Sequence, residues 1–296
     1  MRPAAWLLAG ALVAAVAGCK RGDEPCVVTG VTVEEDPGPS RLLAAGLTRD
    51  DLRTIALEAF GRAPGFVVPS GEPPRGAPRC RGVVALLDGR LTAGSGQPRA
   101  EVALRMKLST GDDQDDLVET VRGTDTLERG EPVTASVRRA IRNAAERGAR
   151  QLALALAESR KPDAEVIRDL ESGDPKLREL AVGVLADRKN PAAVPGLLQR
   201  LQDPDPAIAS RAVGALAQIG DPRAVGPIIE LSRRREGPFV AQMVRAVGDI
   251  GGAEAEAYLE TLVAGHSDPL VVQAAREALQ DARRKRKADA GRGPAR

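Results

Sequence analysis

Hydrophobic and polar residues alternate along several short segments between residues 26 and 123. In residues 101–109, Val102, Leu104, Met106 and Leu108 alternate with small or charged side chains, and this period of two is typical of a strand with one buried face. The run 82–87 is apolar throughout, which suits a buried central strand. The pattern predicts strands at 26–35, 65–69, 82–87, 101–109 and 117–123.

Two amphipathic helices accompany these strands. Apolar residues recur at helical spacing after Thr48, which can cap a helix together with Asp51, and again over residues 134–159. Helices on one side of a largely antiparallel sheet predict an α+β domain over residues 26–160. The order of its elements resembles that of small envelope domains found in curli-secretion and penicillin-binding-protein-activator lipoproteins.

The chain changes character after Pro162, where strand patterns end and one phrase begins to recur. Similar segments open at Asp174, Asp205, Gly237 and Asp268, about 31 residues apart. Three of them start with Asp-Pro, in which the carboxylate can accept from free backbone amides and the proline dihedral suits the first helical turn. Shorter helix signals lie between these segments. The period predicts an all-α solenoid of about four helical hairpins over residues 163–282.

These hairpins resemble the short HEAT-like repeats of the phycobilisome-lyase family. The resemblance lies in the Asp-Pro that opens the second helix and in the phrases "AVPGLL" and "AVGPII" of the first. It implies hairpins that stack to complete one another's core and that present an elongated surface for binding. It also brings a reading as a bilin lyase or isomerase, which no residue pattern in this sequence supports.

The same resemblance implies that the second helix of each hairpin lines the binding face. Outward positions there are polar, without a repeated ladder of one charge or of aromatic residues. Such a surface fits a folded protein partner better than a nucleic acid. The candidate protein-binding residues are Arg178, Glu179, Arg211, Gln242, Arg245, Gln273 and Arg276.

Residues 1–18 are predicted to be a secretory signal peptide, because a short basic start precedes an uncharged apolar run too short to span a bilayer. The segment 16–19, Val-Ala-Gly-Cys, resembles the lipobox of bacterial lipoproteins. This implies that Cys19 carries the lipid, with palmitate among its acyl chains, and that residues 19–25 are a tether. Lys20 follows where the inner-membrane retention signal would be Asp. The expected location is therefore the cell envelope, lipid-anchored in the outer membrane and facing the periplasm.

Setting Cys19 aside leaves two cysteines, Cys26 and Cys80. An even pair in an oxidising compartment predicts a disulfide. The alternative is two free thiols. The sequence has no Cys-x-x-Cys spacing that would indicate redox catalysis.

The sequence carries none of the usual nucleotide-binding, serine-hydrolase or zinc-protease motifs. Its single histidine, His266, is predicted to be a solvated loop residue. The cluster Asp112, Asp113, Asp115 and Asp116 is the best cation candidate, but it lacks the glycine and distal glutamate of an EF-hand loop and favours a hairpin tip. We therefore expect no metal site, no cofactor and no catalytic residues.

Charge is concentrated at the C-terminal end, where residues 283–296 contain seven basic residues and one acidic residue. We predict a disordered basic tail that is either simply solvated or in weak contact with anionic surfaces. The residues for that contact are Arg283, Arg284, Lys285, Arg286 and Lys287.

The leading functional hypothesis is a lipid-anchored, non-catalytic adaptor or scaffold that binds another envelope protein through the HEAT-like solenoid. One alternative is an enzyme or enzyme activator of the envelope that acts through carboxylates of the α+β domain, such as Glu101 or the cluster Asp112 to Asp116. A second alternative is a structural spacer with no defined partner.

Overall fold

The computed structural model describes residues 24–34, 46–73, 75–92, 97–111, 116–236 and 238–291, with side chains up to residue 284. The predicted signal peptide and Cys19 lie outside these residues. The chain divides into two units between Ala153 and Leu154, inside a long helix and before the predicted boundary at 160–163. Within the described part of the chain, no helix combines the length and the apolar character needed to cross a bilayer.

The first unit is built on a five-stranded sheet with the strand order β2-β1-β3-β4-β5. All five predicted strands are present, most of them with shifted ends. The elements in chain order are β1 (Cys26–Glu34), α1 (Arg49–Arg62), β2 (Phe66–Val67), β3 (Arg79–Thr92), β4 (Arg99–Ser109), β5 (Leu117–Thr126) and α2 (Val133–Arg160).

The sheet is mixed: the expected antiparallel pairing holds for β3, β4 and β5, and it is wrong for β1 and β2. Strand β1 pairs in parallel with both β2 and β3, whereas β4 pairs antiparallel with β3 and β5. The reason lies in the connections. Helix α1 carries the chain from β1 to β2, and such a crossover brings the next strand back in parallel. Only the later, shorter turns produce antiparallel neighbours.

Helix α1 begins at the cap that the sequence predicts. The Thr48 hydroxyl accepts from the backbone amide of Asp51 (3.1 Å), and the Asp51 carboxylate accepts from the backbone amide of Thr48 (2.8 Å). The hydrogen bond from the Thr48 backbone, assisted by one from Arg138, holds the pKa of Asp51 well below its usual value. The helix then buries the apolar face Leu52, Ile55, Ala56, Ala59 and Phe60.

The predicted disulfide between Cys26 and Cys80 is present, with the two Cα atoms 5.9 Å apart. Both residues are buried, and they lie on the paired strands β1 and β3. In the chain-entropy model, closing a loop of this length stabilises the folded state by about 4 kcal/mol.

Helix α2 approaches the sheet at two glycines. A Cβ atom on Gly123 of β5 would lie 1.9 Å from the carbonyl oxygen of Ala140, and one on Gly148 would lie 2.4 Å from Met106 Sδ. Any larger side chain at either position would therefore separate the helix from the sheet. This close approach completes the core of the first unit.

In the described part of the chain, the second unit consists of helices. After the end of α2 come α3 (Asp163–Asp169), α4 (Pro175–Asp187), α5 (Val194–Arg200), α6 (Pro206–Ile219), α7 (Val225–Ser232), α8 (Pro238–Ile250), α9 (Ala253–Gly265) and α10 (Pro269–Gly291). Short 3-10 turns precede α5 and α7. Their apolar residues form one continuous core that runs from Val166 to Leu279.

The Asp-Pro segments cap helices as predicted. Asp174, Asp205 and Asp268 each accept from a backbone amide two residues later, at 2.9, 2.9 and 2.8 Å. These bonds satisfy donors that the first helical turn leaves without a partner. The repeated phrase in the sequence is therefore a repeated helix start.

The predicted disordered tail differs from the structure, because α10 continues through residue 283 to Gly291. Arginine, lysine and alanine all have high helix propensity, and the segment contains no glycine or proline before Gly291. The basic segment is thus helical up to that residue. Residues 292–296 lie outside the described part of the chain.

Candidate functional site

The second helices of the predicted hairpins, α4, α6, α8 and α10, pack side by side in that order. The seven candidate binding residues all lie on them. Some of their side chains are bonded to other residues of the protein, and others are not.

The prediction that Arg178 faces outward is wrong. Only 8% of its side chain is exposed. Its guanidinium forms a bidentate pair with Asp203, with Nε and Nη2 donating at 2.8 and 3.0 Å, and Nη1 donates to the carbonyl oxygen of Ser172 at 2.9 Å. The residue therefore ties the start of α4 to the loop before α6.

The partner of this arginine, Asp203, is fully buried. Burial alone would raise the pKa of Asp203, but the hydrogen bonds from Arg178 and from the backbone amide of Asp205 outweigh it and lower the pKa. The pKa of Arg178 is raised by the same pairing with Asp203. Both groups are charged near neutral pH. Arg200 Nη1 also donates to Asp203, at 3.2 Å, so the buried carboxylate has two arginine partners.

Glu179 and Arg211 join α4 to α6. A carboxylate oxygen of Glu179 lies 2.8 Å from Arg211 Nη2, and the other lies 3.1 Å from Lys176 Nζ. The Arg211 side chain remains 60% exposed. Its exposure alone would therefore suggest that it is free to bind a partner, although its charge is already paired within the chain.

Gln242 joins α6 to α8 through a two-bond contact with Ser210. The Ser210 hydroxyl donates to Gln242 Oε1 at 2.6 Å, and Gln242 Nε2 donates to the Ser210 carbonyl oxygen at 2.8 Å. The amide of Gln242 thus has both its oxygen and its nitrogen engaged. It acts as a structural link at this point of the surface.

The three remaining candidates lie on α8 and α10. Arg245 and Arg276 are exposed, and neither side chain forms a hydrogen bond or ion pair with any residue that the structure describes. Gln273 is exposed as well, with its amide donating to Glu277 at 2.6 Å. The two arginines are the members of the predicted set that keep their full capacity for a partner's carboxylates.

Helices α8 and α10 are held together by close packing. A Cβ atom on Gly248 would lie 2.6 Å from the Cβ atom of Ala278, so the helices meet with no room for another methyl group. Gly248 and Ala278 are both buried. None of the candidate binding residues forms a described polar bond between these two helices.

Two grooves in the second unit were not predicted from the sequence. One, of about 640 Å³, lies at the starts of α6 and α8 and is walled by Pro206, Pro238 and Phe239. The other, of about 450 Å³, contains both Tyr258 and His266, each the only residue of its type in the chain. The run of three arginines at 233–235 is the sequence feature that could have indicated these grooves, because Arg235 lines both of them.

His266 lies in a loop, as expected, but it is not fully solvated. It is partly buried after the end of α9, and its Nδ1 accepts from the backbone amide of Asp268 at 3.1 Å. Its only carboxylate neighbour in the sequence, Asp268, caps α10 through its side chain. The histidine thus belongs to the turn between these two helices.

The carboxylates proposed for chemistry in the first unit are occupied where they are described. Glu101 lies 3.1 Å from Arg90, and Asp116 lies 2.5 Å from Lys107 Nζ. The hydrogen bond from Lys107 lowers the pKa of Asp116. Asp112, Asp113 and Asp115 lie outside the described residues. Within the described part of the chain, no group of three or more His, Cys, Asp or Glu residues could hold a metal ion.

Comparison with family models finds a match within the second unit. A family model described as HEAT repeats matches residues 164–242, which agrees with the resemblance seen in the repeated phrase. The chain matches no curated protein. Arrays of such repeats generally present extended surfaces that bind other proteins.

Similar solved structures include two engineered proteins from the Northeast Structural Genomics Consortium and a hypothetical protein from Chlamydia trachomatis. The engineered proteins share 20% and 19% identity with the chain, both with a TM-score of 0.33, over 48% and 47% of this chain and 74% and 44% of theirs. The chlamydial protein shares 11% identity with a TM-score of 0.31, over 45% of this chain and 96% of its own. Scores at this level do not establish a shared fold.

Proposed function

We propose that the protein is a non-catalytic adaptor of the bacterial cell envelope that binds another protein through its HEAT-like helices. The solenoid would comprise four hairpins, α3–α4, α5–α6, α7–α8 and α9–α10. The HEAT family match over residues 164–242 supports a scaffold role for this part of the chain. The binding face would be formed by the second helix of each hairpin.

The observation that carries the proposal is the contrast among the candidate side chains. Arg178, Glu179, Arg211 and Gln242 are bonded to other residues of the second unit. Arg245 and Arg276 are exposed and have no partner among the described residues. A binding protein with surface carboxylates could pair with these two arginines without first breaking a bond within the adaptor.

The experiment compares charge reversal at the binding face with a matched change elsewhere. Cells would express the full chain, a variant with Arg245→Glu and Arg276→Glu, and a control with Arg122→Glu. Arg122 is an exposed arginine of β5 that also lacks a partner among the described residues. After chemical cross-linking, wild type and control are expected to yield the same protein partner, and the double variant at least about tenfold less of it.

The same experiment includes a deletion of residues 162–296. If the deletion variant captures the same partner as the full chain, the helices have no role in binding and the proposal fails. Equal recovery of the partner by the double variant would instead remove the two arginines from the proposed contact.

The envelope location is part of the proposal and is supported by the sequence of residues 1–19. Acyl chains on Cys19 would anchor the protein, because more than one chain is needed for stable membrane attachment. Labelled palmitate is expected to enter the wild-type protein and to be absent from Cys19→Ala. Labelling of Cys19→Ala at the wild-type level would contradict lipidation at this residue. Separating inner and outer membranes would test the proposed outer-membrane placement.

The basic end of α10 would add weak contact with an anionic surface. Two of its five basic residues already form ion pairs, Arg283 with Glu260 and Arg284 with Asp281. Lys285, Arg286 and Lys287 follow in the sequence. Vesicles that contain anionic lipid are expected to bind the chain more weakly as salt is raised, and more weakly still after replacing residues 285–287 with glutamine.

A further inference from the structure

The second groove lies between the end of α7 and helix α9, and we call it the α7–α9 groove. Its volume is about 450 Å³. Cavities of this size are within the range that holds small molecules in proteins. Its polar wall is formed by Ser232, Arg233, Arg235, Glu254, Tyr258 and His266. Ile229, Val240 and Leu262 supply an apolar wall.

Tyr258 is held in place by a chain of two hydrogen bonds. The Ser232 hydroxyl donates to the carbonyl oxygen of Ile229 at 2.7 Å, and it lies 2.6 Å from the Tyr258 hydroxyl. Because a hydroxyl has one proton, Ser232 must accept from Tyr258. Ser232 is buried, so this chain fixes the ring of Tyr258 as a wall of the groove.

His266 contributes a hydrogen-bond donor to the same groove. Its Nδ1 accepts from the backbone amide of Asp268, so the neutral ring carries its proton on Nε2. In the part of the chain that the structure describes, Nε2 has no partner. A donor of this kind is suited to an oxygen atom of a ligand.

The charged groups of the groove favour an anion. The Arg235 side chain forms no hydrogen bond or ion pair with a described residue, and the Arg233 side chain has one long ion pair, at 3.8 Å, with Glu230. Glu254 is the single carboxylate of the described wall. The described wall therefore contains two arginines and one histidine, against one acidic side chain. Guanidinium groups form short, charge-assisted bonds with carboxylate and phosphate oxygens.

We propose that the α7–α9 groove is a binding site for a small molecule that has an apolar body and one oxyanion group, a phosphate or a carboxylate. Arg233, Arg235 and His266 bind the oxyanion. The apolar body lies against Ile229, Val240 and Leu262. This site is separate from Arg245 and Arg276 of the proposed protein-binding face, so either proposal can fail without the other.

The single histidine makes the site directly observable. An untagged full chain labelled with histidine that carries ¹³C only at Cε1 gives one imidazole cross-peak in a proton–carbon NMR spectrum, that of His266. The probes are phenyl phosphate, benzoate and inorganic phosphate. We expect a saturable shift of the cross-peak with phenyl phosphate or benzoate, and the stronger of the two identifies the preferred oxyanion. Inorganic phosphate, which has no apolar body, is expected to bind more weakly.

Two variants locate the site by comparing neighbouring arginines. Arg235→Gln is expected to weaken binding about tenfold through loss of a charge-assisted bond. The matched control is Arg234→Gln, because Arg234 pairs with Glu230 at 2.7 Å and is not part of the groove wall. Its affinity is expected to stay within about twofold of wild type. No saturable shift with any probe, or equal weakening in the two variants, would overturn the proposal.

Discussion

The polar bonds between the second helices differ along the array. Between α4 and α6, Glu179 pairs with Arg211, and between α6 and α8, Gln242 bonds to Ser210. Helices α8 and α10 instead approach each other closely at Gly248 and Ala278. The polar residues Arg245 and Arg276 of this last pair are left exposed and without a described partner.

This difference shows that exposure and availability are separate properties of a side chain. Arg211 is 60% exposed, yet a protein that binds it must compete with Glu179. Packing through small residues at α8 and α10 removes the need for such a polar link. The end of the array that is closest-packed is therefore the one whose charged groups can serve a partner.

Among the variants that test this comparison, Arg178→Ala is expected to cause the largest loss of stability, because it removes one half of a buried ion pair. Asp203 would remain buried and charged with Arg200 (3.2 Å) and the backbone amide of Asp205 (3.0 Å) as its remaining partners, so the expected loss is about 2–3 kcal/mol in the free energy of unfolding. Urea denaturation of the full chain measures this loss. The control Arg211→Ala breaks an exposed pair and is expected to cost about 1 kcal/mol or less. Equal losses in the two variants would contradict the assignment of Arg178 as structural.

Acid should weaken the α4 end of the array through the same pair. The pKa of Asp203 is lowered in the folded state, so its carboxylate contributes stability above the unfolded pKa, which is near 3.9. That contribution is lost as the pH falls below this value towards the folded pKa. The difference in unfolding free energy between wild type and Asp203→Asn is expected to be constant from pH 7 to about 5 and to shrink at lower pH. A difference that grows on acidification would contradict a lowered pKa of Asp203 in the folded state.

Gly248→Ala tests the close packing of α8 against α10. The added methyl group would lie 2.6 Å from Ala278 Cβ, and overpacking of this kind costs about 1–3 kcal/mol. Gly214→Ala in α6 is the matched control, since a Cβ atom there meets no atom within 4 Å. It is expected to stabilise the chain by up to about 1 kcal/mol through helix propensity. Thermal or urea denaturation is expected to show a loss of stability for Gly248→Ala and a gain for Gly214→Ala.

Ser210→Ala is expected to have the smallest of these effects. It removes the hydroxyl that donates to Gln242 Oε1 and leaves the second bond, from Gln242 Nε2 to the Ser210 carbonyl oxygen, in place. A single partly buried hydrogen bond contributes about 0.5–1.5 kcal/mol. A loss well above that range, measured by urea denaturation, would show that this link contributes more to the α6–α8 contact than its geometry indicates.

Most of the helices and strands could be predicted because their signals are local. The alternation in 101–109, the cap at Thr48 and the Asp-Pro helix starts depend on residues within a few positions of one another. The disulfide followed from counting cysteines. The comparison with HEAT repeats confirms the repeat over 164–242.

The predicted disorder of the basic tail was an error about a local feature, whereas other errors concern contacts between distant residues. Arg178 occupies a position that looks outward in a single helix, but its partner Asp203 lies 25 residues later in the chain. The parallel pairing of β1 with β3 depends on the path of the chain through α1 and not on the pattern of either strand. The α7–α9 groove joins the run of arginines to Tyr258 and His266, which no periodicity in the sequence connects.

Site-specific photo-cross-linking tests the central claim most directly. A photoreactive amino acid would replace Arg245, Arg276 or Arg122 in turn, in cells that express the full chain. The account predicts that the residues introduced at 245 and 276 form adducts with one and the same protein, and that the residue at 122 does not. Adducts from position 122 together with none from 245 and 276 would contradict binding through α8 and α10.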